Sequence, residues 1–450
     1  MRLKSSYAFL AILLVPGFSL YSQENRPIIP DSGWSYHFQL TIVSQAHPGF
    51  RAKYSGTNSM GDTVEFGATS ITTTLFLGKN LWKGAAVYVN PELSGGRGLS
   101  YSVGIAGAVN GETYRIGNPA PLMSIARAYL QQIIPLGHSN YDTTEDDLNH
   151  VEGLVPTSRI SISAGKFSMT DFFDVNTYSH DPREQFLNWS LMSQGAWDYP
   201  ANTRGYTMGL VAELVEPKWA LRASSVAVPV IANHSEMEYV FGKAQSEILE
   251  LEKKIRVNGS NGVVRLMSSY TTCRSPSYQE GLVALKTGDS NILNIISGTA
   301  KASTYGGHKF GIYLNIEQEV TKDLGAFSRI GWNDGQYATW AFTEIDQTES
   351  AGLSLRGTSW NRAADVAGLA VVVNGISAIH RQFLKEGGYG FIIGDGNLNY
   401  GHEAIMETYY NMKVYNSLWL SLDYQFVNNP GYNKDRGPVH VFSLRGHIAL

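Results

Sequence analysis

The sequence predicts an all-β protein, a transmembrane antiparallel barrel of the outer membrane with short periplasmic turns and longer extracellular loops. Three observations predict it. Apolar and polar residues alternate in stretches from one end of the chain to the other, down to the final VHVFSLRGHIAL. The connections between these stretches are of two kinds, tight turns and long polar loops. The chain is also poor in charge without being hydrophobic: 43% apolar and 16% charged residues, 46 Gly and 25 Tyr, with a mean hydropathy of -0.15. Lipid on one face of every strand and a wet lumen on the other average to such a balance, although a glycine-rich secreted sandwich would look similar.

The chain begins with Arg2 and Lys4, an apolar YAFLAILLV, a Pro16-Gly17 break and small Ser19 and Ser22. These are the three parts of a secretory signal peptide, which predicts residues 1–22 as an export signal and 23–450 as one barrel domain. The apolar run falls far short of the roughly 20 residues that a spanning helix needs. No later stretch approaches that length, so an exported chain that stays in a membrane has to be a closed barrel. Cys273 is the single cysteine, which excludes an internal disulfide framework and a cysteine metal site. The net charge of -4, with no Lys/Arg cluster, speaks against a nucleic-acid partner.

Along the chain, SYHFQLTIVSQ sets Phe38, Leu40 and Ile42 against His37, Gln39 and Thr41. The segment 135–158 reads as a long acidic loop, and shorter alternating stretches follow at 159–166, 206–214, 219–225 and 249–256. VNGSNG at 257–262 is a tight hairpin, because Asn-Gly favours the positive φ angles of primed turns. Alternation resumes at 264–270 and in FGIYLNIEQEV, where Phe310, Ile312, Leu314 and Ile316 oppose Tyr313, Asn315 and Glu317. It continues at 352–356 and in LWLSLDYQFV, and in the last stretch Phe442, Leu444, Ile448 and Leu450 oppose Ser443, Arg445 and His447. Each is about the 9–11 residues that a tilted membrane strand requires, or part of it. Trp34, Tyr36, Tyr206, Trp219, Trp340, Trp360, Tyr409 and Tyr410 sit near segment ends, where an aromatic girdle would lie.

No H-E-x-x-H, G-x-S-x-G, phosphate-loop or zinc spacing is present, so neither catalysis nor a metal or other cofactor is expected. GHE at 401–403 and SHDPRE at 179–184 set His beside carboxylates, but neighbours on a strand point opposite ways. DFFDVN at 171–176 holds three oxygen-bearing side chains without the spacing of a calcium loop. Arg159, Glu213, Arg222, Glu317, Arg356, Asp423 and Arg445 all fall on the polar face of their stretch. In a barrel they converge on one aqueous passage, where fixed charges select what passes.

Residues 180–205 break the alternation, with Asp181-Pro182 as an expected helix start. They are read as a loop folded into the pore. Trp189, Trp197 and Tyr199, beside Asn188, Asp198 and Arg204, offer flat rings and hydrogen-bonding groups of the kind that suit a sugar. From face parity, the expected substrate-binding residues are Arg204, Glu213, Arg222, Glu317, Arg329, Arg356 and Arg362, with Trp189, Trp197 and Tyr199 as the stacking platform.

The segments GGRGLSYSVGIAGAVNGETYR, ISAGKFSMTDFFDVNTYSHDPREQFLNWSLMSQGAWDYPANTRGYTMG, EQEVTKDLGAFSRIGWNDG, GTSWNRAADVAGLAVVVNGIS and NPGYNKDRGPVHVFSLRGH, in this order, resemble the carbohydrate-selective porin family of the OprB type. The resemblance runs from about Gly95 to the end. It implies about sixteen antiparallel strands in a Gram-negative outer membrane, passive diffusion of sugars, and a constriction of charged and aromatic residues. The implied partners are permeating sugars, outer-membrane lipid and the barrel-assembly machinery, with a homotrimer as one arrangement open to it. The chain departs from the common barrel ending in an aromatic residue, since it stops on Leu450. Two rivals stand beside the channel: a secreted carbohydrate-active enzyme, which would need two carboxylates paired across a cleft, and a plugged surface barrel with an adhesive role.

Overall fold

The computed structural model describes residues 33–113 and 120–450. The expected export signal, residues 1–22, lies outside them. Twenty strands form among the described residues: β1 (Trp34–His47), β2 (Glu65–Trp82), β3 (Ala85–Gly96), β4 (Leu122–Pro135), β5 (Tyr141–Thr144), β6 (Gly153–Pro156), β7 (Arg159–Phe167), β8 (Thr207–Glu216), β9 (Trp219–Val226) and β10 (Val228–Pro229) in the first half. The second half holds β11 (Met237–Glu238), β12 (Gln245–Val257), β13 (Ser260–Cys273), β14 (Gly307–Glu319), β15 (Leu324–Asn333), β16 (Gln347–Gly357), β17 (Arg362–Gly375), β18 (Glu403–Tyr415), β19 (Leu418–Asn428) and β20 (Val439–Ala449). The pairs β5–β6 and β10–β11 are small separate hairpins; the other sixteen strands close into one antiparallel barrel, each paired with its neighbours in sequence and β20 with β1. Phe38 and Leu450 exchange both backbone hydrogen bonds at 2.9 Å across that seam.

Alternation is what places each side chain. On β20, Phe442 and Leu444 are 53% and 52% exposed on the outside, while Ser443, Arg445 and His447 between them are buried inside. On β14, Phe310 and Ile312 face out and Lys309, Tyr313, Asn315 and Glu317 face in. Such an inverted pattern, apolar out and polar in, stabilises the wall only against lipid. Outward Trp34, Tyr36, Trp82, Trp360 and Tyr415 gather at one end, with Trp34 stacked on Tyr36 at 5.6 Å. Tyr206, Tyr409 and Trp340, expected in this girdle, are instead buried inside.

The two ends differ. At one, the connections are short: residues 83–84, 217–218, 258–259, 320–323, 358–361 and 416–417. Asn258 and Gly259 both have positive φ, as the primed turn requires. At the other end are long loops, with residues 48–64, 97–113 and 120–121, 168–206, 227–244, 274–306, 334–346, 376–402 and 429–438. The acidic loop 136–158 departs from this arrangement: it is long, yet it joins β4 to β7 at the short-turn end.

Loop 168–206 folds into the lumen, and wall side chains serve its backbone in place of water. The Glu407 carboxylate accepts the Leu187 and Asn188 N–H groups at 2.5 and 2.9 Å. The Arg329 guanidinium pairs with Asp174 at 3.1 Å and donates to the carbonyls of Leu191 and Ser179 at 2.8 and 2.7 Å. Glu317 accepts from Thr177 N at 2.6 Å. Irregular backbone survives at membrane depth only when its groups are satisfied in this way. The helix inside the loop is short, α1 (Trp189–Met192), and Asn188 caps it; at the expected start, Asp181-Pro182, there is only a single turn, in which the Asp181 side chain accepts from Arg183 N and its carbonyl from Gln185 N, both at 2.8 Å.

Arg329→Met removes the ion-pair partner of a buried carboxylate and the donor to three backbone carbonyls, a loss of about 3–5 kcal/mol. The barrel has its own ladder. The expected outcome is therefore a folded barrel whose loop 168–206 is cleaved faster by protease, read by mass of the fragments.

Candidate functional site: the passage through the lumen

Loops fill the side of the lumen walled by β14–β20 and leave a cavity of about 700 Å³ along β4, β7 and β8. It is lined from the long-loop end (Asn233, Phe342, Phe391) to the short-turn end (Arg159, Thr144, Leu148). Near the long-loop end the surface is aromatic. Trp189 stacks on Tyr199 with centroids 5.4 Å apart, and Phe342 meets both edge-on at 4.6 and 4.8 Å. Asp198 holds Phe342 there by accepting the N–H groups of residues 340–343 at 2.9–3.3 Å.

The middle of the passage is charged. The Arg127 guanidinium holds Asp171 through two bonds of 2.7 and 2.6 Å, a geometry that fixes both side chains. Arg183 donates to Gln39 at 2.9 Å and pairs with Glu112 at 3.2 Å and Glu92 at 3.4 Å. Burial works against the Arg183 charge, but Glu112 and Glu92 outweigh it and hold the guanidinium protonated. Burial lowers His180, also on the lining, below the usual histidine range. Glu92 further accepts from Thr74 and from the Tyr206 hydroxyl at 2.8 and 3.0 Å.

Of the expected residues, the structure brings Trp189, Arg204 and Glu213 to the cavity wall, with Tyr199 behind Trp189 at only 3% exposure. Arg204 reaches Ser94 at 2.5 Å, and Glu213 pairs with Arg222 at 3.0 Å. Arg222 is committed to Glu250 and Glu252 as well, at 2.9 and 3.0 Å. The others have different places. Trp197 is 1% exposed, packed among Phe173, Tyr199 and Tyr313, and offers no free face. Arg329 is likewise 1% exposed, and it and Glu317 hold the inner loop rather than line the passage. Arg356 keeps the inward parity of Gly352 but is exposed at the short-turn mouth. Arg362 is the first residue of β17, beside the short turn, paired with Asp365 and donating to the Lys413 carbonyl at 2.9 Å.

Arg127 was not among the expected residues because no alternating stretch is read at 122–135, and the pairing with β3 shows why the alternation is broken there. Asn90 pairs with Arg127 and Pro91 with Ile125, so Ala126 is an extra residue opposite the proline. Proline donates nothing to a ladder, and a bulge at that point reverses the parity of β4. Ile125 then faces out, 43% exposed, while Ala126 and Arg127 turn inward. Pro91 inside a strand was the available signal. Asp171 and Arg183 lie in segments that stand out in the sequence, DFFDVN and the inner loop 180–205, but face parity does not reach loop residues, and Phe342 carried no signal at all.

A closed sixteen-stranded barrel with an apolar outside, long loops at one end and a lined internal passage defines an outer-membrane channel. Residues 64–450 match the family described as carbohydrate-selective porin, OprB family. The chain belongs to that family and is an outer-membrane channel for carbohydrates. The high-pH structure of Pseudomonas putida OprB is similar at a TM-score of 0.67 and 16% identity, over 93% of this chain and 94% of that one. The low-pH structure of the same protein gives a TM-score of 0.48 and 12% identity over 93% of each. OmpTdeltaL8, a loop-deletion mutant of an outer membrane protein of Vibrio cholerae, gives 0.46 and 10% over 93% of this chain and 100% of that one. None of the curated proteins compared is a significant match.

Arg127→Gln unpairs Asp171 and leaves a net negative charge in the middle of the passage. The expected outcome is a reversal potential shifted toward the cation in a KCl gradient across a planar bilayer, and the shift shrinks at high salt as screening grows.

Proposed function

We propose that the channel passes mono- and oligosaccharides one ring at a time, from an aromatic surface to a set of fixed charge pairs. The observation that carries this is the single continuous cavity, with Trp189, Tyr199 and Phe342 toward the long-loop end and Arg127, Asp171, Arg183 and Arg204 further in. A pyranose has an apolar face for the rings and a hydroxyl edge for the charges. Arg183 and Arg127 are already paired, so they exchange hydrogen bonds with hydroxyls without a large change in net charge. That favours a neutral polyol over an ion. Contact stays weak, as conduction requires.

In the same reading each barrel conducts by itself, including within a homotrimer. Export through residues 1–22 and insertion by the barrel-assembly machinery belong to the same reading, as does passage without chemical change.

Liposome swelling with the purified mature protein tests the proposal. Faster entry of mono- and disaccharides than of amino acids of similar size is the expected result; equal rates for all would mean a general pore. Trp189→Ala removes one stacking face worth about 0.5–1.5 kcal/mol, so sugar block of single-channel current weakens roughly two- to tenfold. KCl conductance stays close to that of the parent.

A further inference from the structure

The acidic connection between β4 and β7 enters the lumen from the end where every other connection is short. By the orientation common to outer-membrane barrels that end is periplasmic. Its hairpin β5–β6 leaves the strands that carry it and lies on the inner face of β1, β2 and β3. Val151, at the far side of the hairpin tip, is buried there, and its backbone bonds the Tyr88 hydroxyl. Room for it comes from Gly78, where an added Cβ would stand 3.0 Å from the Val151 side chain. His37 meets Asp146 at 3.3 Å, and Ser35 donates to the Asp147 carbonyl at 3.4 Å. The tip residues Leu148, Asn149 and His150, with Thr144 and Val155, line the passage. Asp142, Glu145, Asp146, Asp147 and Glu152 are exposed around them, and residues 136–158 contain no Lys or Arg.

From this placement we infer that the hairpin is a second selectivity element, acting in series with the inner loop: its tip sets the width of the periplasmic opening, and its carboxylates disfavour anionic solutes there. The inference deepens the carbohydrate-channel reading and rests on it, because the solutes it discriminates are neutral sugars against acidic or phosphorylated ones. The physical basis is an ordinary one. An exposed carboxylate repels an anion over about the screening length, ~10 Å at 0.1 M salt, and a ring of acidic side chains at an opening selects for cations and neutral solutes.

Two variants test it in planar bilayers at 0.1 M KCl. In the first, residues 137–157 are replaced by Asn-Gly, which joins Leu136 to Ser158, already hydrogen-bonded at 3.0 Å, through a primed turn. In the second, Glu145→Gln, Asp146→Asn and Asp147→Asn remove charge and keep the chain length. Shortening is expected to raise single-channel conductance at least about twofold, and neutralisation to move the reversal potential toward chloride with a smaller change in conductance. In liposomes, both speed the entry of a sugar phosphate relative to the free sugar. If folded, heat-modifiable protein shows either an unchanged conductance in the first variant or an unchanged reversal potential in the second, the inference is overturned. Failure of the parent protein to admit free sugar would instead refute the sugar reading, and it is read from swelling alone.

Discussion

A backbone group inside a membrane has no water to bond, and the rest of this structure follows from meeting that requirement twice. The first time, sixteen strands pair edge to edge until Phe38 and Leu450 close the ladder, so that no strand presents unpaired groups to lipid. The second time, the long inner loop brings irregular backbone to the same depth. There it is the polar face of the wall that answers it, with Glu407 taking two N–H groups and Arg329 giving to three carbonyls. Glu403 does the same for Ala106, Gly107 and Gly431 at 2.7–3.0 Å. The inner charges of the barrel are therefore of two sorts: those consumed in holding loops, and those left facing the passage.

This division decides where a solute can go. Because loops occupy the side walled by β14–β20, the passage is displaced toward β4, β7 and β8. The charges that remain on it come mostly as close pairs, Arg127 with Asp171 and Arg183 with Glu92 and Glu112. Paired charges present many donors and acceptors with little net field. Such a surface suits a hydroxyl-rich neutral molecule better than an ion, and the aromatic patch of Trp189, Tyr199 and Phe342 supplies the apolar contact that the same molecule needs.

Much of the wall was legible in the letters, because a strand repeats every two residues and each stretch could be read by itself. The opposition of Phe442 and Leu444 to Ser443, Arg445 and His447 appears unchanged in the burial of β20. The Asn-Gly turn at 258–259 was legible for the same local reason, since the positive φ angles belong to those two residues. β4 went unread, and Arg127 with it, where the bulge opposite Pro91 breaks the alternation and turns Arg127 inward. Reading failed where parity was taken to mean access to water. Trp197 and Arg329 are inside, as expected of them, but both are covered.

The sequence by itself determined the barrel, its inside and outside, and the class of solute suggested by aromatic and charged residues on the inner side. Only the tertiary structure decided which inner side chains meet the passage and which hold a loop, and that the acidic segment 136–158 enters from the short-turn end. The reason is one of range. In-or-out is set by the residue's position in a repeat of two, whereas the path of a loop is set by contacts such as Glu407 with Leu187 or Tyr88 with Val151, between residues far apart in the chain and brought together only when the barrel closes.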